Sequence, residues 1–330
     1  MKILIAITTK IPVTAYGGTE RVIWYLGKEL SKLGHEITYL VNKGSVCDFA
    51  KIIPIDESIK VSEQIPKDID IIHFHYVPPD LHEVEKPYVV TVHGNVGPSF
   101  QFNANTIFIS KNQANRYSSS CFVHNGLDWS DYPSPLTLAH RNYFHFLGNA
   151  AWRIKNVKGA INIITGTKSE KIKILGGTRL NFKMGFRLTL TPRARFYGMV
   201  GGEEKARLLR SSKGLIFPVR WHEPFGLCII ESLYFGCPVF ATPYGSLPEL
   251  VPQEVGFLSN KQHELVEAIE NVTQYSTQIC HEYALENFNS KKMALGYLEK
   301  YTAVLDGDKL NAQNPFSPAT PEPKFLDWFD

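Results

Sequence analysis

Residues 1–41 read MKILIAITTKIPVTAYGGTERVIWYLGKELSKLGHEITYLV. The run over 2–7 is short, unbroken and apolar, as in strands covered on both faces. It leads into a loop containing Gly17-Gly18. Val22, Ile23, Leu26, Leu30 and Leu33 then recur at helical spacing, Thr19 is placed to cap the start, and Gly34 suits the left-handed C-terminal position. Residues 37–41 return to an apolar run, which makes strand, helix and strand a βαβ unit and predicts parallel pairing.

Further strands are predicted over 69–75, 88–93, 106–110 and 121–124, each bounded by Pro, Gly or Asn, and close a first domain near residue 140. A second series runs through 143–147, a helix near Ala160, then 171–175, 196–198, 214–217 and 239–241. The class is α/β, with two doubly wound parallel sheets in succession, and 330 residues suffice for two cores. Phe182, Met184, Phe186, Leu188 and Leu190 alternate with polar residues or glycine, which predicts a half-buried strand in an extra hairpin arm. Residues 262–304 read as helical. The stretch 311–324, with Pro315, Pro318, Pro321 and Pro323 among polar residues, reads as loose.

Composition excludes several classes. No apolar run approaches the roughly 18 residues a membrane span needs, and Thr8-Thr9-Lys10 follow the first strand too soon for a secretory signal. Five widely spaced cysteines (Cys47, Cys121, Cys228, Cys237 and Cys280) argue against a disulfide framework or zinc knuckle and for a reducing cytoplasm. Net charge is only +3, yet residues 141–213 hold 16 Lys and Arg against 3 acidic residues. Such a stretch is either a solvated basic face or a site for phosphate-bearing ligands or an anionic membrane. No nucleic-acid module accompanies it.

The chemistry concentrates in RWHEPFGLCIIESLYFGCPV, residues 220–239. Glu223 and Glu231 stand eight apart. Pro224 suits a helix start, and the N–H groups of Phe225, Gly226 and Leu227 would lack intrahelical partners and favour an anion. Glu231 falls two turns further on, near the same face. Asp68-Ile69-Asp70 looks like a metal motif but precedes its strand, the wrong end of a parallel strand for a ligand. Val41-Asn42, in place of an acid after the second strand, disfavours a nicotinamide enzyme.

Glu223 to Leu227 with the second Glu at 231, then Gly236-Cys237-Pro238-Val239 and Gly245-Ser246 with Pro248-Glu249, resembles the donor site of retaining glycosyltransferase family 4, of GT-B fold. Gly17-Gly18-Thr19-Glu20, Gly34-His35-Glu36-Ile37, Val92-His93-Gly94, Asn125-Gly126-Leu127-Asp128 and Lys158-Gly159 follow the same family order. The resemblance implies two Rossmann-like domains facing a cleft. Residues 1–140 would be the acceptor side and 141–288 the nucleotide-sugar side, with a helix over 289–305 packing back on the first domain and a loose tail over 306–330.

It further implies a hexose or N-acetylhexosamine moved with retention from a nucleotide diphosphate sugar, uridine or guanosine being open, to a glycan, lipid-linked or small-molecule acceptor. No metal or other cofactor is implied. Glu223 would bind donor hydroxyls with the N–H groups of Phe225, Gly226 and Leu227, and Glu231 the ribose. Gly17, Gly18 and the main chain of Val200 would touch the donor, and His93 the transferred sugar. Arg153 and Lys158, five apart, would neutralise the leaving phosphate, although the family's contiguous Gly-Arg is replaced by Gly148-Asn149 and Lys155 is a rival. His73 and His75 read as packing or acceptor-side residues. Tyr16, Trp24 and Tyr76 read as either sugar-stacking or core. The implied setting is polysaccharide or lipopolysaccharide synthesis in the cytoplasm, peripheral at the inner membrane face, with no nucleic-acid partner. The alternatives are a nucleotide-sugar epimerase or phosphorylase of the same fold, or a non-catalytic partner subunit.

Overall fold

In the computed structural model, which describes residues 1–12, 17–135 and 140–330, β1 (Lys2–Ala6) leads through α1 (Gly18–Lys32) to β2 (Glu36–Val41). Tyr16 lies outside the described residues. Ile3 pairs with Ile37 on one side and Ile71 on the other, both in parallel register. This strand buried on both faces is what its unbroken apolar run dictates. β3 (Lys51–Pro54), β4 (Ile71–Phe74), β5 (Tyr88–Val92) and β6 (Thr106–Phe108) complete a parallel sheet of order β3-β2-β1-β4-β5-β6, followed by α2 (Lys111–Arg116). Val22, Ile23, Leu26 and Leu30 of α1 are buried, but the N-cap is Gly17, not Thr19, and no side chain caps the helix. The strand expected over 121–124 reduces to one bridge between Phe108 and Phe122.

The second sheet comprises β7 (Tyr143–Leu147), then α3 (Val157–Gly166), β8 (Ile172–Leu175), the small pair β9 (Leu180–Asn181) and β10 (Arg187–Leu188), and β11 (Ala194–Phe196). It continues through α4 (Gly202–Arg210), β12 (Ser212–Phe217), α5 (Leu227–Tyr234), β13 (Val239–Ala241), α6 (Leu247–Leu250) and β14 (Gly256–Leu258). The parallel order is β11-β8-β7-β12-β13-β14, with the antiparallel β9-β10 ribbon outside it. The 262–304 stretch is three helices, α7 (Gln262–Glu270), α8 (Thr277–Asn287) and α9 (Ser290–Leu305).

The chain forms two units, one of residues 1–128 and 288–321, the other of residues 129–287 and 322–330. The division thus falls at 128/129, ahead of the 140/141 expected from the order of the strands. Within the first unit α9 packs on α1 and β5. The tail is more ordered than its prolines suggest. The Asn311 side chain donates to the Ala104 and Thr106 carbonyls, Ser317 N donates to Phe100 O, and Phe329 N to Asn260 O. Proline removes the donor of its own residue, and the intervening residues still supply theirs.

The ribbon corrects another expectation. No single strand runs over 182–190: residues 182–186 are the turn between β9 and β10, with Met184 at φ +57 and Gly185 at φ +115, and Phe182, Met184, Phe186 and Leu190 are 73, 63, 69 and 80 % exposed. Alternation places side chains on one face only where the backbone stays extended, and here the left-handed pair at 184 and 185 reverses the chain.

Candidate active site

In an open parallel sheet, ligands bind beyond the carboxyl ends of the strands, where the strand order reverses. In the second unit that point lies between β7 and β12, which are neighbours in the sheet. The loops leaving them span residues 148–156 and 218–226. Their backbones join where Arg220 N donates to Ile154 O at 2.7 Å and the Asn156 side-chain amide donates to Pro218 O at 2.9 Å. Asn156, in the left-handed conformation, also accepts from Gly159 N and caps α3. The cap holds Lys155 just outside the helix, facing the second loop.

Glu223 is 7 % exposed and Glu231 3 %. Carboxylates this buried need cations or strong donors. Lys155 Nζ lies 2.5 Å from Glu223 Oε2, and Trp221 Nε1 donates to the same oxygen at 2.9 Å. The Lys155 ammonium also lies 4.9 Å from the centroid of the Trp221 ring and 5.1 Å from that of Phe217. Glu231 accepts from Lys205 Nζ at 2.5 Å and from Tyr132 OH at 2.8 Å through Oε1. Neither Lys155, Lys205, Trp221 nor Tyr132 was singled out from sequence as a carboxylate partner. Lys155 was only a rival to the Arg153 and Lys158 pair.

Helix α5 begins at Leu227, three residues after Pro224, because Gly226 at its N-cap takes φ +90. Ile229 N closes on Gly226 O, while Leu227 and Cys228 have no acceptor four residues back within the helix. The approach to α5 is fixed from behind. Ser246 N donates to Glu223 O at 2.9 Å and Ser246 Oγ to Phe225 O at 2.6 Å. Gly245 has φ +65, and a Cβ there would lie 2.3 Å from both the N and the O of Glu223. Gly245→Ala is therefore expected to destabilise the protein by about 2–4 kcal/mol and to displace Glu223. Chemical denaturation alongside ligand binding checks this, and an unshifted midpoint with intact binding would contradict it.

Arg153 and Lys158 line a cavity of about 470 Å³ with Trp152, Arg187, Arg220 and Phe325, a cavity that Glu223 and Glu231 do not line. Arg153 sits over the Phe325 ring at 5.2 Å. Val200 lies in the loop between β11 and α4, ahead of the N-cap Gly201.

In the first unit, Gly17 and Gly18 open α1, and Gly17 O accepts from Arg21 N. His93 follows β5 and joins its Nε2 to His75 Nδ1 at 2.8 Å. His73, on β4, bonds Tyr301 OH of α9 and Thr91 Oγ1, each at 2.7 Å. His73 and His75 have ring centroids 3.9 Å apart. His73, read from sequence with His75 as a packing or acceptor-side residue, is fully buried, and His75 Nε2 is buried with no partner among the described residues. Burial pushes His93 down to about 4 and holds His73 and His75 well below the ordinary imidazole range. Trp24 meets Phe49 edge to face, and Tyr76 packs against the core around Phe74, which accounts for both without a sugar. Among the described residues no group of three or more His, Cys, Asp or Glu is placed to hold a metal, and no described helix is long and apolar enough to cross a membrane.

Residues 141–274 match the sequence profile of the family described as glycosyl transferases group 1. An uncharacterised 41.2 kDa protein in the cps region of Klebsiella pneumoniae is 30 % identical over 113 residues, 32 % of this chain and 31 % of the relative. The match thus spans about a third of that curated relative's length. The chain's fold is similar over 93 % of its length to a glycosyltransferase involved in avilamycin A biosynthesis, with a TM-score of 0.74, 20 % identity and 98 % of that chain covered. Sucrose-phosphate synthase from Thermosynechococcus elongatus gives 0.72 at 18 % identity, covering 93 % of this chain and all of the other. An Anabaena protein solved in complex with UDP gives 0.67 at 16 % identity, covering 92 % of this chain and 100 % of its own. The fold is GT-B.

Proposed function

From the group 1 match over residues 141–274 as premise, we propose that the protein is a retaining glycosyltransferase that moves a hexose or N-acetylhexosamine from a nucleotide diphosphate sugar to a glycan, lipid-linked or small-molecule acceptor. The observation that carries the reading is the pair of buried carboxylates before and within α5, each neutralised by its own lysine at the carboxyl end of a parallel sheet. A structural ion pair has no need of a helix N-terminus beside it.

The donor's diphosphate meets the leading N–H groups of α5, where the helix dipole favours an anion. Glu231, already accepting from Tyr132 and Lys205, takes the ribose diol, which offers donors to a group that only accepts. Glu223 receives both of its described bonds on Oε2, which directs Oε1 to a hydroxyl of the transferred sugar. Lys155, on the loop between β7 and α3, supplies the fixed cation as charge develops on the departing phosphate, and no divalent metal is needed for that task. Retention follows from attack on the face the phosphate leaves, the phosphate taking the acceptor's proton.

A panel of nucleotide sugars read by thermal shift tests the donor site. A true donor at 100 times its dissociation constant adds about 2.7 kcal/mol of stability. Proton NMR of the product reads the anomer, and inversion would refute retention. Lys155→Ala is expected to cut transfer by about a hundredfold or more. If Lys158→Ala or Arg153→Ala caused that deficit and Lys155→Ala did not, the leaving-group role would return to the pair expected from spacing.

A further inference from the structure

Residues 322–330 belong to the second unit although they follow a stretch of the first, and they lie beyond the residues that the family profile matches. Hydrogen bonds tie them to three loops in turn. Leu326 N donates to Arg220 O at 2.8 Å, and Arg220 Nε returns a bond to Leu326 O at 2.9 Å. Tyr244 OH donates to Asp327 O at 2.7 Å, Phe329 N to Asn260 O at 2.9 Å, and Gln262 N to Phe329 O at 2.8 Å. These anchors follow β12, β13 and β14, three neighbouring parallel strands. The segment therefore crosses the carboxyl end of the sheet, the end at which such sheets hold ligands.

What it brings there is Phe325. The half-buried ring lines the same cavity as Arg153, Lys158, Arg187 and Arg220, with no carboxylate among the described lining residues. Like charges gathered in this way repel until an anion joins them. The Arg153 guanidinium lies 5.2 Å from the centroid of the Phe325 ring and that of Arg220 5.5 Å. The two arginines stand on different loops, after β7 and after β12, and the ring is a contact they share. Stacking uses the face of a guanidinium and leaves the N–H groups in its plane to fork onto phosphate oxygens. Arg153 is exposed, and an exposed arginine ordinarily surrenders its rotamer freedom only when a ligand arrives. Against Phe325 that ordering is already in place.

We propose that Phe325 is a positioning residue of the donor site, holding Arg153 and Arg220 so that both grip the donor's diphosphate. The inference rests on the donor reading above and adds to it a residue from outside the matched family region. It concerns the bound donor, whereas Lys155 answers the charge that develops as the phosphate departs.

Binding of UDP and GDP to the full chain by calorimetry, and of uridine and guanosine by ligand-observed NMR, tests it. The wild type is expected to bind at least one of the two diphosphates. F325A should weaken that diphosphate about tenfold and leave the nucleoside unchanged. F325L keeps apolar bulk without an aromatic face and should behave like F325A, while F325Y restores wild-type affinity. The losses of F325A and R153Q should not multiply in the double variant, because both remove one placement. Denaturant midpoints identify any variant that has lost its fold, and the contrast between F325L and F325Y stands if F325A loosens the segment. Wild-type affinity in F325L, an equal loss for nucleoside and diphosphate, or losses that multiply would overturn the role of Phe325 and leave the donor reading standing. A wild type that bound neither diphosphate would overturn both.

Discussion

Glu223→Ala is expected to lower transfer by about a hundred- to a thousandfold, because it removes the carboxylate proposed to hold the transferred sugar and releases Lys155 from its partner. Stability should fall as well. Lys155 and Glu223 have side-chain exposures of only 12 and 8 %, and removing one member of a buried pair costs about 3–5 kcal/mol through the charge left behind. Two effects are thereby mixed in one variant, and a cycle separates them. Lys155→Met alone and Glu223→Gln alone should each lose stability and transfer. The double variant should regain most of the stability and none of the transfer, since two neutral side chains satisfy the pocket but carry no chemistry. Denaturant midpoints and initial rates on the four proteins read both quantities. Retention of more than about a tenth of wild-type transfer by Glu223→Ala would remove this residue from the reaction.

Acid sensitivity is the second large effect. Burial pushes His145 down to about 3 and His93 to about 4, and drives His73 and His75 the same way. His145 is wholly buried between Ser212 Oγ at 2.7 Å and Ser232 Oγ at 2.9 Å. An imidazole whose folded pKa is depressed binds fewer protons in the native state than in the unfolded chain. Stability is therefore full above the unfolded value of about 6.5 and falls as pH drops toward 4. Each such histidine adds up to about 1.4 kcal/mol per pH unit to the slope within that window. Unfolding free energies are expected to fall steeply between pH 6.5 and 4, and His145→Gln should flatten the curve at some cost at neutral pH. A flat profile across that interval would contradict the neutral state assigned to these rings.

The sheets were legible because parallel strands buried on both faces must read as unbroken apolar runs, as 2–7 and 214–217 do. The two carboxylates were legible because their spacing about a helix start is local. Their partners were not. Lys155 and Glu223 are 68 positions apart, and nothing in either segment states that the loops after β7 and β12 meet. One local signal did exist. Asn156 with Gly159 three residues later marks an N-cap, and it sets Lys155 before the helix while Lys158 falls in its first turn. Spacing alone favoured Arg153 with Lys158 over that cue. The ribbon was misjudged for a different reason, since the period-two pattern runs straight through a turn at 182–186, where Met184 and Gly185 leave the extended conformation that the pattern presupposes.

The polypeptide builds its first unit, leaves it after residue 128, returns at 288 and departs again after 321. A single protease nick near residue 128 would therefore yield two fragments that stay associated, because the larger still contributes α9 to the smaller one's packing on α1 and β5. Size exclusion of nicked material should show one peak under native conditions and two bands only after denaturation, and attempts to express residues 1–128 by themselves should give a sticky product with its α9-facing surface bare.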